Sequence, residues 1–171
     1  MPRLFFALWP DNNTRNQLQA ITQPIPQNCG RVIPAENLHI TLAFLGQIDE
    51  ETAKNLEAAA MQIKAREFTL ELSTIGYWRK AKILWLAPAV IPAELNLLVA
   101  RVNEISIVCG ITLDGRPFRP HITLARKAGM AAPQIQNPLV SWQVRNFALV
   151  ESVTHHIGAQ YRVRRSWNLL N

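Results

Sequence analysis

The pentapeptide His-Ile-Thr-Leu-Ala occurs twice in the chain, at residues 39–43 and again at residues 121–125. The 171 residues include only four histidines, and two of them open the two copies. Chance is a poor explanation for five identical residues that begin with so rare a residue type. The repeat therefore indicates an internal duplication, with two similar lobes in the folded chain.

Each copy has the pattern of a half-buried β-strand. In a strand, side chains i and i+2 point to the same face and sit about 7 Å apart. His39 and Thr41 would then share one face while Ile40 packs into the core. His121 and Thr123 would do the same in the second copy. If an approximate two-fold axis relates the lobes, the two His-Thr faces meet across a cleft that holds two imidazoles and two hydroxyls.

The rest of the pattern predicts short strands and three helices. Apolar runs and apolar–polar alternation predict strands near residues 4–9, 38–45, 68–72, 83–86, 122–125, 144–153 and 160–169. The first helix is predicted to start at Asp11 or Asn12 and to stop before Pro24, and the second to start at Asp49. The third is predicted to start at Pro92 and to end at Gly110. Residues 23–34 and 129–138 are predicted to be loops.

Helices and strands alternate along the chain, but not as regular strand–helix–strand units. This order favours an α+β fold of mostly antiparallel sheet. Together with the repeat, it predicts a bilobal arrangement: two pseudo-symmetric, mostly antiparallel β-sheets with outer helices and a central cleft carrying two His-x-Thr motifs. No shift in composition marks a boundary, so residues 1–171 are predicted to form a single bilobal domain.

Composition and charge narrow the class of protein. Apolar residues make up 49% of the chain and charged residues 18%, which is typical of a globular protein. The net charge of +6 favours an anionic partner, with nucleic acid or a phosphorylated small molecule ahead of a membrane. Cys29 and Cys109 have no metal-ligand spacing, which argues against a zinc site or a disulfide scaffold. Neither a signal peptide nor a membrane span is predicted, and we expect a cytoplasmic protein.

Two histidines flanking a substrate suit acid–base attack on a phosphodiester. One neutral imidazole takes a proton from the nucleophile while one imidazolium gives a proton to the leaving oxygen. The hydroxyls of Thr41 and Thr123 would donate hydrogen bonds to non-bridging phosphate oxygens. Neither motif has a carboxylate at metal-ligand spacing, so the sequence predicts chemistry without a metal.

These motifs make the chain resemble the 2H phosphoesterase superfamily, whose mark is two His-x-Thr motifs in a bilobal chain. Within it, the chain is most similar to the bacterial and archaeal RNA 2′,3′-cyclic phosphodiesterases, also known as 2′-5′ RNA ligases. The likeness covers nearly the whole chain. It is carried by residues 3–8 (RLFFAL), 37–46 (NLHITLAFLG), 116–126 (RPFRPHITLAR), 151–152 and 161–167.

The resemblance implies an enzyme that opens a terminal 2′,3′-cyclic phosphate of RNA to leave a 2′-phosphate, with no metal or other cofactor. When the family's roles are assigned by motif position, the resemblance implies that His39 is the proton donor to the departing 3′-oxygen and His121 is the proton acceptor that activates water. The near symmetry of the motifs leaves this assignment of acid and base open. The resemblance also implies reversible joining of 2′-5′-linked RNA ends. We expect a monomer, since nothing in the motifs requires a second chain.

Three arginines near the second motif are candidate substrate contacts. Arg126 lies an odd number of residues from His121, so an ideal strand would point it away. A bend at the strand end would bring it to the cleft rim, where the resemblance implies a basic contact. Arg116 and Arg119 carry guanidinium groups suited to phosphate, and Arg119 shares the face of His121 if the chain stays extended.

Aromatic side chains offer further candidate contacts. Phe5 and Phe44 could stack on a nucleobase, with core packing as the other interpretation of both and the preferred one for Phe44. Tyr161 would line the cleft, and Trp78 is interpreted as packing. An arginine cluster at residues 162–165 is either a solvated face or an extension of an anion-binding track.

Two other functions remain open on the sequence. A nucleotide- or RNA-binding module could hold a terminal phosphate without turning it over, and the basic composition suits it equally well. The two histidines argue against it, because arginines and hydroxyls suffice for binding. Alternatively, the same catalytic site could act on a small cyclic phosphate rather than on RNA.

Overall fold

The computed structural model describes residues 1–129, 138–155 and 158–171. It confirms an α+β architecture. The strands are β1 (Arg3–Leu8), β2 (Arg31–Val32), β3 (Ile40–Gln47), β4 (Phe68–Trp78), β5 (Ile83–Pro88), β6 (Ile122–Arg126), β7 (Val140–Val144), β8 (Asn146–His155) and β9 (Gly158–Asn168). The helices are α1 (Asn12–Thr22), α2 (Glu50–Ala60) and α3 (Ala93–Val108), with short 3-10 helices at Gln27–Cys29 and Ala35–Asn37.

The strands form one sheet in the order β7-β4-β5-β6-β3-β1-β8-β9, and β2 pairs with β6. Every pairing of these described strands is antiparallel. We call β3, β1, β8 and β9 the first half-sheet, and β6, β5, β4 and β7 the second half-sheet. Each half-sheet ends at the middle of the molecule in a strand that carries one copy of the repeat.

The two half-sheets meet where β3 pairs with β6, and the register there places Ile40 opposite Ile122. The prediction of two separate sheets is therefore wrong. The two motif strands pair with each other, and this contact joins the half-sheets into one continuous sheet. The apolar residues at the centre of the two His-Ile-Thr triplets form the junction.

Local signals explain the helices. Asp11 and Asp49 cap α1 and α2, because each carboxylate accepts a hydrogen bond from a backbone N–H three residues on, at 2.7 Å. Of the two predicted caps for α1, Asp11 is the one used. Helix α3 starts directly after Pro92, and Gly110 follows its end with φ of +83°, as predicted for a helix stop.

The core lies on one face of the sheet, beneath the helices. The helix residues that pack there are Leu18 and Ile21 of α1, Ala53, Leu56 and Ala60 of α2, and Leu95, Leu98, Val99 and Val102 of α3. A second, smaller cluster lies on the opposite face and contains Phe5, Ala7, Ala148 and Val150. We call this opposite face the open face. Strand β1 alternates between the two faces, since Leu4, Phe6 and Leu8 join the main core.

Some predicted elements differ from the structure. Strand β7 was not predicted, although Val140, Trp142 and Val144 are buried in strict alternation. The two-residue β2 lies inside the predicted loop 23–34. The C-terminal hairpin of β8 and β9 is confirmed, whereas residues 130–137 of the predicted loop lie outside the described residues. No described helix combines the length and the apolar character that a bilayer span needs.

Candidate active site

The two motif histidines are held in the same way. His39 Nδ1 lies 2.7 Å from the carbonyl oxygen of Asn37, and His121 Nδ1 lies 2.7 Å from the carbonyl oxygen of Arg119. A carbonyl oxygen only accepts hydrogen bonds, so Nδ1 carries the hydrogen in both rings. In the neutral ring Nε2 is then the unprotonated nitrogen, available to accept a proton.

The register at the junction brings the two motifs together. In an antiparallel ladder, the pairing of Ile40 with Ile122 sets His39 across from Thr123 and Thr41 across from His121. Diagonal neighbours on one face of such a ladder lie about 7–8 Å apart, which is the relation of the two histidines. This register sets two imidazoles and two hydroxyls around one space on the open face.

Both imidazoles are biased toward the neutral form. The pKa of His39 is lowered to about 4, chiefly by burial and also by the positive charges of Arg126 and His121, and the hydrogen bond to Asn37 offsets these effects only in part. Burial, and then Arg126, also holds the pKa of His121 below its usual value. Arg126 is thus close enough to act electrostatically on both histidines.

A β-bulge in β6 explains how Arg126 reaches the site. Trp85 pairs with Thr123 and Leu84 pairs with Ala125, which leaves Leu124 as an extra residue. Leu124 and Ala125 are both buried, so the alternation shifts by one position between Thr123 and Arg126. Arg126 consequently returns to the face of the motif despite its odd spacing from the histidine. The sequence predicted a bend at the strand end that would bring Arg126 to the site, and in the structure a β-bulge has that effect.

The first motif strand contains the same bulge. Ala7 pairs with Thr41 and Phe6 pairs with Ala43, which leaves Leu42 as the extra residue. Phe44 then pairs with Phe5 on the open face. Phe44 is 66% exposed, so its preferred interpretation as a core residue is wrong. The two copies of the repeat therefore end in an exposed Phe and an exposed Arg at matching positions.

Aromatic rings pack around His39. The ring of Trp9 stacks on it at a centroid distance of 5.5 Å, and Phe5 and Tyr161 each lie 5.0 Å away. Phe5 is only 3% exposed and also contacts Phe44 and Tyr161. The expected base-stacking role of Phe5 is therefore corrected to packing that positions His39. Tyr161 meets His39 edge-on, as a cleft-lining residue would.

On the other side, the edge of Trp78 contacts His121 at a centroid distance of 4.5 Å. Trp78 also packs on Trp85 at 5.5 Å. A Cβ added at Gly76 would lie 2.1 Å from the Trp85 ring, so only glycine leaves room for it. Sequence reasoning missed the site contacts of Trp9 and Trp78. The alternation of Phe5 and Trp9 on one strand face could have indicated the first, and no sequence signal indicated the second.

The other predicted arginines have different surroundings. Arg116 donates from Nε to Asp114 at 2.7 Å, so a carboxylate already offsets its charge. This pairing weakens the case for Arg116 as a phosphate ligand. Arg119 is exposed and contributes its backbone carbonyl to His121. Arg164 pairs with Glu50 and Glu57 of α2, so this part of the C-terminal arginine cluster fastens β9 to a helix.

A group of exposed basic side chains begins beside the site. We call it the basic cluster; its members are Arg31, Arg79, Lys80, Lys82, Arg126 and Lys127. Arg31 pairs across strands with Arg126, and the backbone carbonyl of Lys82 accepts a hydrogen bond from the residue after Lys127 at 2.9 Å. None of the six forms an ion pair with a described residue. The positive charge at this end of β6 is therefore available to an anion.

The family comparison identifies the class of protein. The family model described as "LigT like Phosphoesterase" matches residues 8–85 and again residues 86–157, and each match contains one copy of the repeat. The chain belongs to this phosphoesterase family, and it is a hydrolase.

Individual relatives agree with that assignment over nearly the full chain. The RNA 2′,3′-cyclic phosphodiesterase of Escherichia coli (strain K12) is 34% identical over 170 residues, covering 98% of this chain and 96% of the relative. The protein of the same name from Thermus thermophilus is 32% identical, covering 98% of this chain and 90% of the relative.

Solved structures support the same conclusion. The crystal structure of E. coli LigT in apo form matches with a TM-score of 0.90 at 34% identity. The match covers 99% of this chain and 98% of the LigT chain. The complex of E. coli LigT with 3′-AMP has a TM-score of 0.91 at 34% identity and covers 99% of both chains.

Proposed function

We propose that this protein opens terminal 2′,3′-cyclic phosphates of RNA to 2′-phosphates by metal-independent acid–base catalysis with two histidines. The observation that carries the proposal is the Ile40–Ile122 register, which sets the two imidazoles diagonally across one space. Each ring has its Nδ1 engaged by a backbone carbonyl, so each Nε2 is free for proton transfer. The named activity of the full-length relatives supports the same substrate chemistry.

In the proposed reaction, a water oxygen attacks phosphorus while His121 Nε2 takes its proton. The bond between phosphorus and the 3′-oxygen breaks, and protonated His39 gives its Nε2 proton to that oxygen. The products are a 2′-phosphate and a free 3′-hydroxyl. Thr41 and Thr123 donate hydrogen bonds to the non-bridging oxygens, where negative charge grows in the transition state. The family resemblance supports these two histidine roles.

Substrate charge moves both imidazoles toward the protonated form, which the proposed proton donor His39 requires. The free protein favours two neutral imidazoles, since burial lowers the pKa of His39 to about 4 and also lowers the pKa of His121. An anionic phosphate between the rings opposes the positive field of Arg126 and raises both pKa values. Binding of the substrate therefore favours the protonated form of His39.

We also propose that the half-sheets are two pseudo-symmetric lobes of a single domain that arose by duplication. The supporting observations are the two matches of the family model and the equal bulges in β3 and β6. In this arrangement the local axis passes between Ile40 and Ile122, which gives both histidines equivalent positions about the phosphate.

The basic cluster favours RNA over a small cyclic phosphate as substrate. A single cyclic nucleotide carries one or two charges, whereas six exposed cations lie around the end of β6, on the neighbouring β2 and at the β4–β5 turn. Phosphates along a polynucleotide would neutralise several of these cations at once. Joining of RNA ends through a 2′-5′ linkage would use the same groups, with a ribose 5′-hydroxyl in place of water as the nucleophile and the 3′-oxygen again as the leaving group. The reverse reaction would be attack of that 3′-hydroxyl on the 2′-5′ diester, which releases the 5′-hydroxyl and restores the cyclic phosphate.

The proposal is tested by incubating the protein, with EDTA present, on an oligoribonucleotide that ends in a 2′,3′-cyclic phosphate. The expected product is a 2′-phosphate, identified by mass and by enzymes that distinguish 2′- from 3′-phosphates. A 3′-phosphate product would overturn the proposed leaving group. Saturable binding with no product over long incubation would replace the enzyme with a binding module.

Substitution of either motif histidine is the matching test of mechanism. His39→Ala and His121→Ala should each lower kcat by about 10²–10⁴-fold, because each removes one acid–base group. Thermal unfolding shows whether each variant stays folded. A folded variant of either kind that keeps the wild-type rate would exclude the two-histidine mechanism.

A further inference from the structure

Helix α3 is apolar on both of its sides. One side packs into the core beneath the sheet. On the other side, Leu97, Ile107 and Val108 are exposed by 64%, 62% and 81%. A helix that is apolar all round is normally buried all round, whereas the described part of this chain leaves the second side of α3 uncovered. Exposed apolar patches of this kind are typical of protein–protein interaction sites.

Four exposed residues form a line along this second side, and we call them the α3 seam: Leu97, Arg101, Glu104 and Val108. Their spacing of four, three and four residues keeps them on one face of an α-helix, because a turn contains 3.6 residues. The side chains of Arg101 and Glu104 are 63% and 61% exposed. The α3 seam therefore has an apolar residue at each end and two opposite charges in the middle.

The α3 seam has the same spacing when it is read in either direction. In an antiparallel pair of identical helices, a two-fold axis relates residues that lie at equal distances from the axis. An axis that crosses α3 between residues 102 and 103 sets Leu97 against the partner's Val108 and Arg101 against the partner's Glu104. One register thus gives apolar contacts at both ends and opposite charges at both central positions.

The charged pair at the centre can bond to a second chain as well as within its own. Inside one helix, Arg101 Nη1 donates to Glu104 Oε2 at 2.9 Å. A guanidinium has five N–H donors and a carboxylate has two acceptor oxygens, so donors and acceptors remain for contacts between chains. The surface is therefore complementary in charge to a second copy of itself.

Small side chains beside the α3 seam permit a close approach of two helices. Ala93 and Ala100 are exposed on one flank of the seam, and packed helices have axes about 8–10 Å apart when the contacting side chains are small enough. Ile107 lies on the same flank. In the register described above, Ile107 comes close to the partner's Ala100, where there is room for its larger side chain.

We propose that two copies of this chain associate through α3 as an antiparallel, two-fold symmetric dimer. The inference is independent of the proposed function. Helix α3 lies on the helix-covered face of the sheet, so the association leaves the candidate site on each open face uncovered. The overlap of the two seams is about 16 Å long, which is short for a stable interface, and the dimer therefore forms at concentrations on the order of micromolar or above. It replaces the monomer that the motifs led us to expect.

Sedimentation velocity at increasing protein concentration measures the association. The average mass should rise from one chain toward two between about 1 and 500 µM. Leu97→Gln and Val108→Gln should each weaken association on the order of 10-fold, because the symmetry removes two apolar contacts at once. Leu139→Gln, which changes a side chain of similar exposure (62%) outside α3, is the matched control and should have no effect. A wild-type protein that stays a single chain throughout would overturn the proposal.

Charge reversal tests the register. Arg101→Glu and Glu104→Arg should each weaken self-association on the order of 10-fold, because like charges then meet at both central positions. Lys64→Glu makes the same change of charge at an exposed position outside α3 and should leave association unchanged. Thermal unfolding shows whether each variant stays folded.

A mixture of the two charge variants decides the assignment. Arg101→Glu and Glu104→Arg chains, labelled with different fluorophores, should associate with each other about as tightly as wild type, since opposite charges meet again across the interface. Neither variant keeps the ion pair within its own helix, so this recovery can come only from contacts between chains. Failure of the folded variants to associate in the mixture would overturn the proposal. Self-association of either variant alone at the wild-type strength would do the same.

Discussion

His39 and His121 begin identical pentapeptides but have different surroundings. His39 lies against Phe5, Trp9 and Tyr161, whereas Trp78 is the ring that contacts His121 among the described residues. Rings exclude water from one face of an imidazole, and a desolvated imidazole holds a proton less readily. The local pentapeptide therefore supplies the proposed catalytic imidazole, and the neighbouring rings set its proton affinity.

The depressed pKa of His39 has a consequence for stability. The folded-state pKa of about 4 lies below the usual 6.5, so the unfolded chain binds more protons between these pH values. Unfolding free energy should therefore fall as pH drops from 6.5 toward 4, by about 3 kcal/mol from this residue. Urea titrations at pH 7 and pH 4 measure the difference, and His39→Gln should reduce it by that amount. An unchanged pH dependence in His39→Gln would contradict the assigned burial effect.

At the scale of elements, each copy of the repeated pentapeptide contains a β-bulge as well as the His-x-Thr pair of the candidate site. In both motif strands Leu and Ala are buried side by side, which displaces the following residue to the open face. A regular strand would bury Phe44 or Arg126 on the helix-covered face instead. The motif thus extends to a sixth residue, which is an exposed phenylalanine, Phe44, in the first half-sheet and an exposed arginine, Arg126, in the second.

The β4–β5 hairpin supports the second histidine through a glycine. Gly76→Ala should destabilise the protein by about 1–3 kcal/mol, because the added methyl overlaps the Trp85 ring and forces it to move. Movement of Trp85 also displaces Trp78 from His121, so kcat should fall while the fold persists. Denaturant unfolding and steady-state kinetics measure the two effects.

Gly115→Ala is the matched control for this substitution, since nothing lies within 4 Å of a Cβ at Gly115. It should change the unfolding free energy by no more than about 0.5 kcal/mol. Equal behaviour of the two alanine variants would mean that the Trp85 ring does not constrain the hairpin.

At the scale of the whole molecule, some of the positive side chains are ion-paired with carboxylates and others are not. Arg164 is neutralised by α2 carboxylates and Arg116 by Asp114, whereas the basic cluster has no ion pair with a described residue. The cluster begins at the end of β6 next to the site and continues onto the β4–β5 turn. An excess charge so placed favours an extended anion that enters at one end of the sheet.

Removal of the turn cations tests this distribution. The triple variant Arg79→Gln, Lys80→Gln and Lys82→Gln should weaken binding of an oligonucleotide and reduce its salt dependence. In a plot of the logarithm of the binding constant against the logarithm of the salt concentration, the slope should become less negative by about 0.7 for each phosphate that the variant no longer neutralises. Turnover of a nucleoside 2′,3′-cyclic phosphate should stay at the wild-type level, because that substrate is too short to reach the turn.

A second triple variant, Lys54→Gln, Lys64→Gln and Arg66→Gln, removes the same charge from an exposed region on and after α2. It should leave the salt dependence of oligonucleotide binding unchanged. Identical behaviour of the two triple variants would show that net charge, rather than the basic cluster, attracts the RNA.

The sequence by itself determined the features that depend on neighbours along the chain. Strand periodicity assigned His39 and Thr41 to one face, and capping residues fixed the starts of α1 and α2. The repeat also identified both motif strands, because an identical local pattern has an identical local preference. The α+β class followed from the order of these elements.

Only the tertiary structure decided how distant segments combine. The pairing of Ile40 with Ile122, the bulges that expose Phe44 and bring Arg126 to the site, and the packing of Trp78 on His121 all join residues far apart in sequence. Strand register and burial depend on the partner strand, which local propensity does not encode. For this reason the sequence identified the candidate catalytic groups, whereas the fold determined their spacing, their proton affinity and the side chains that surround them.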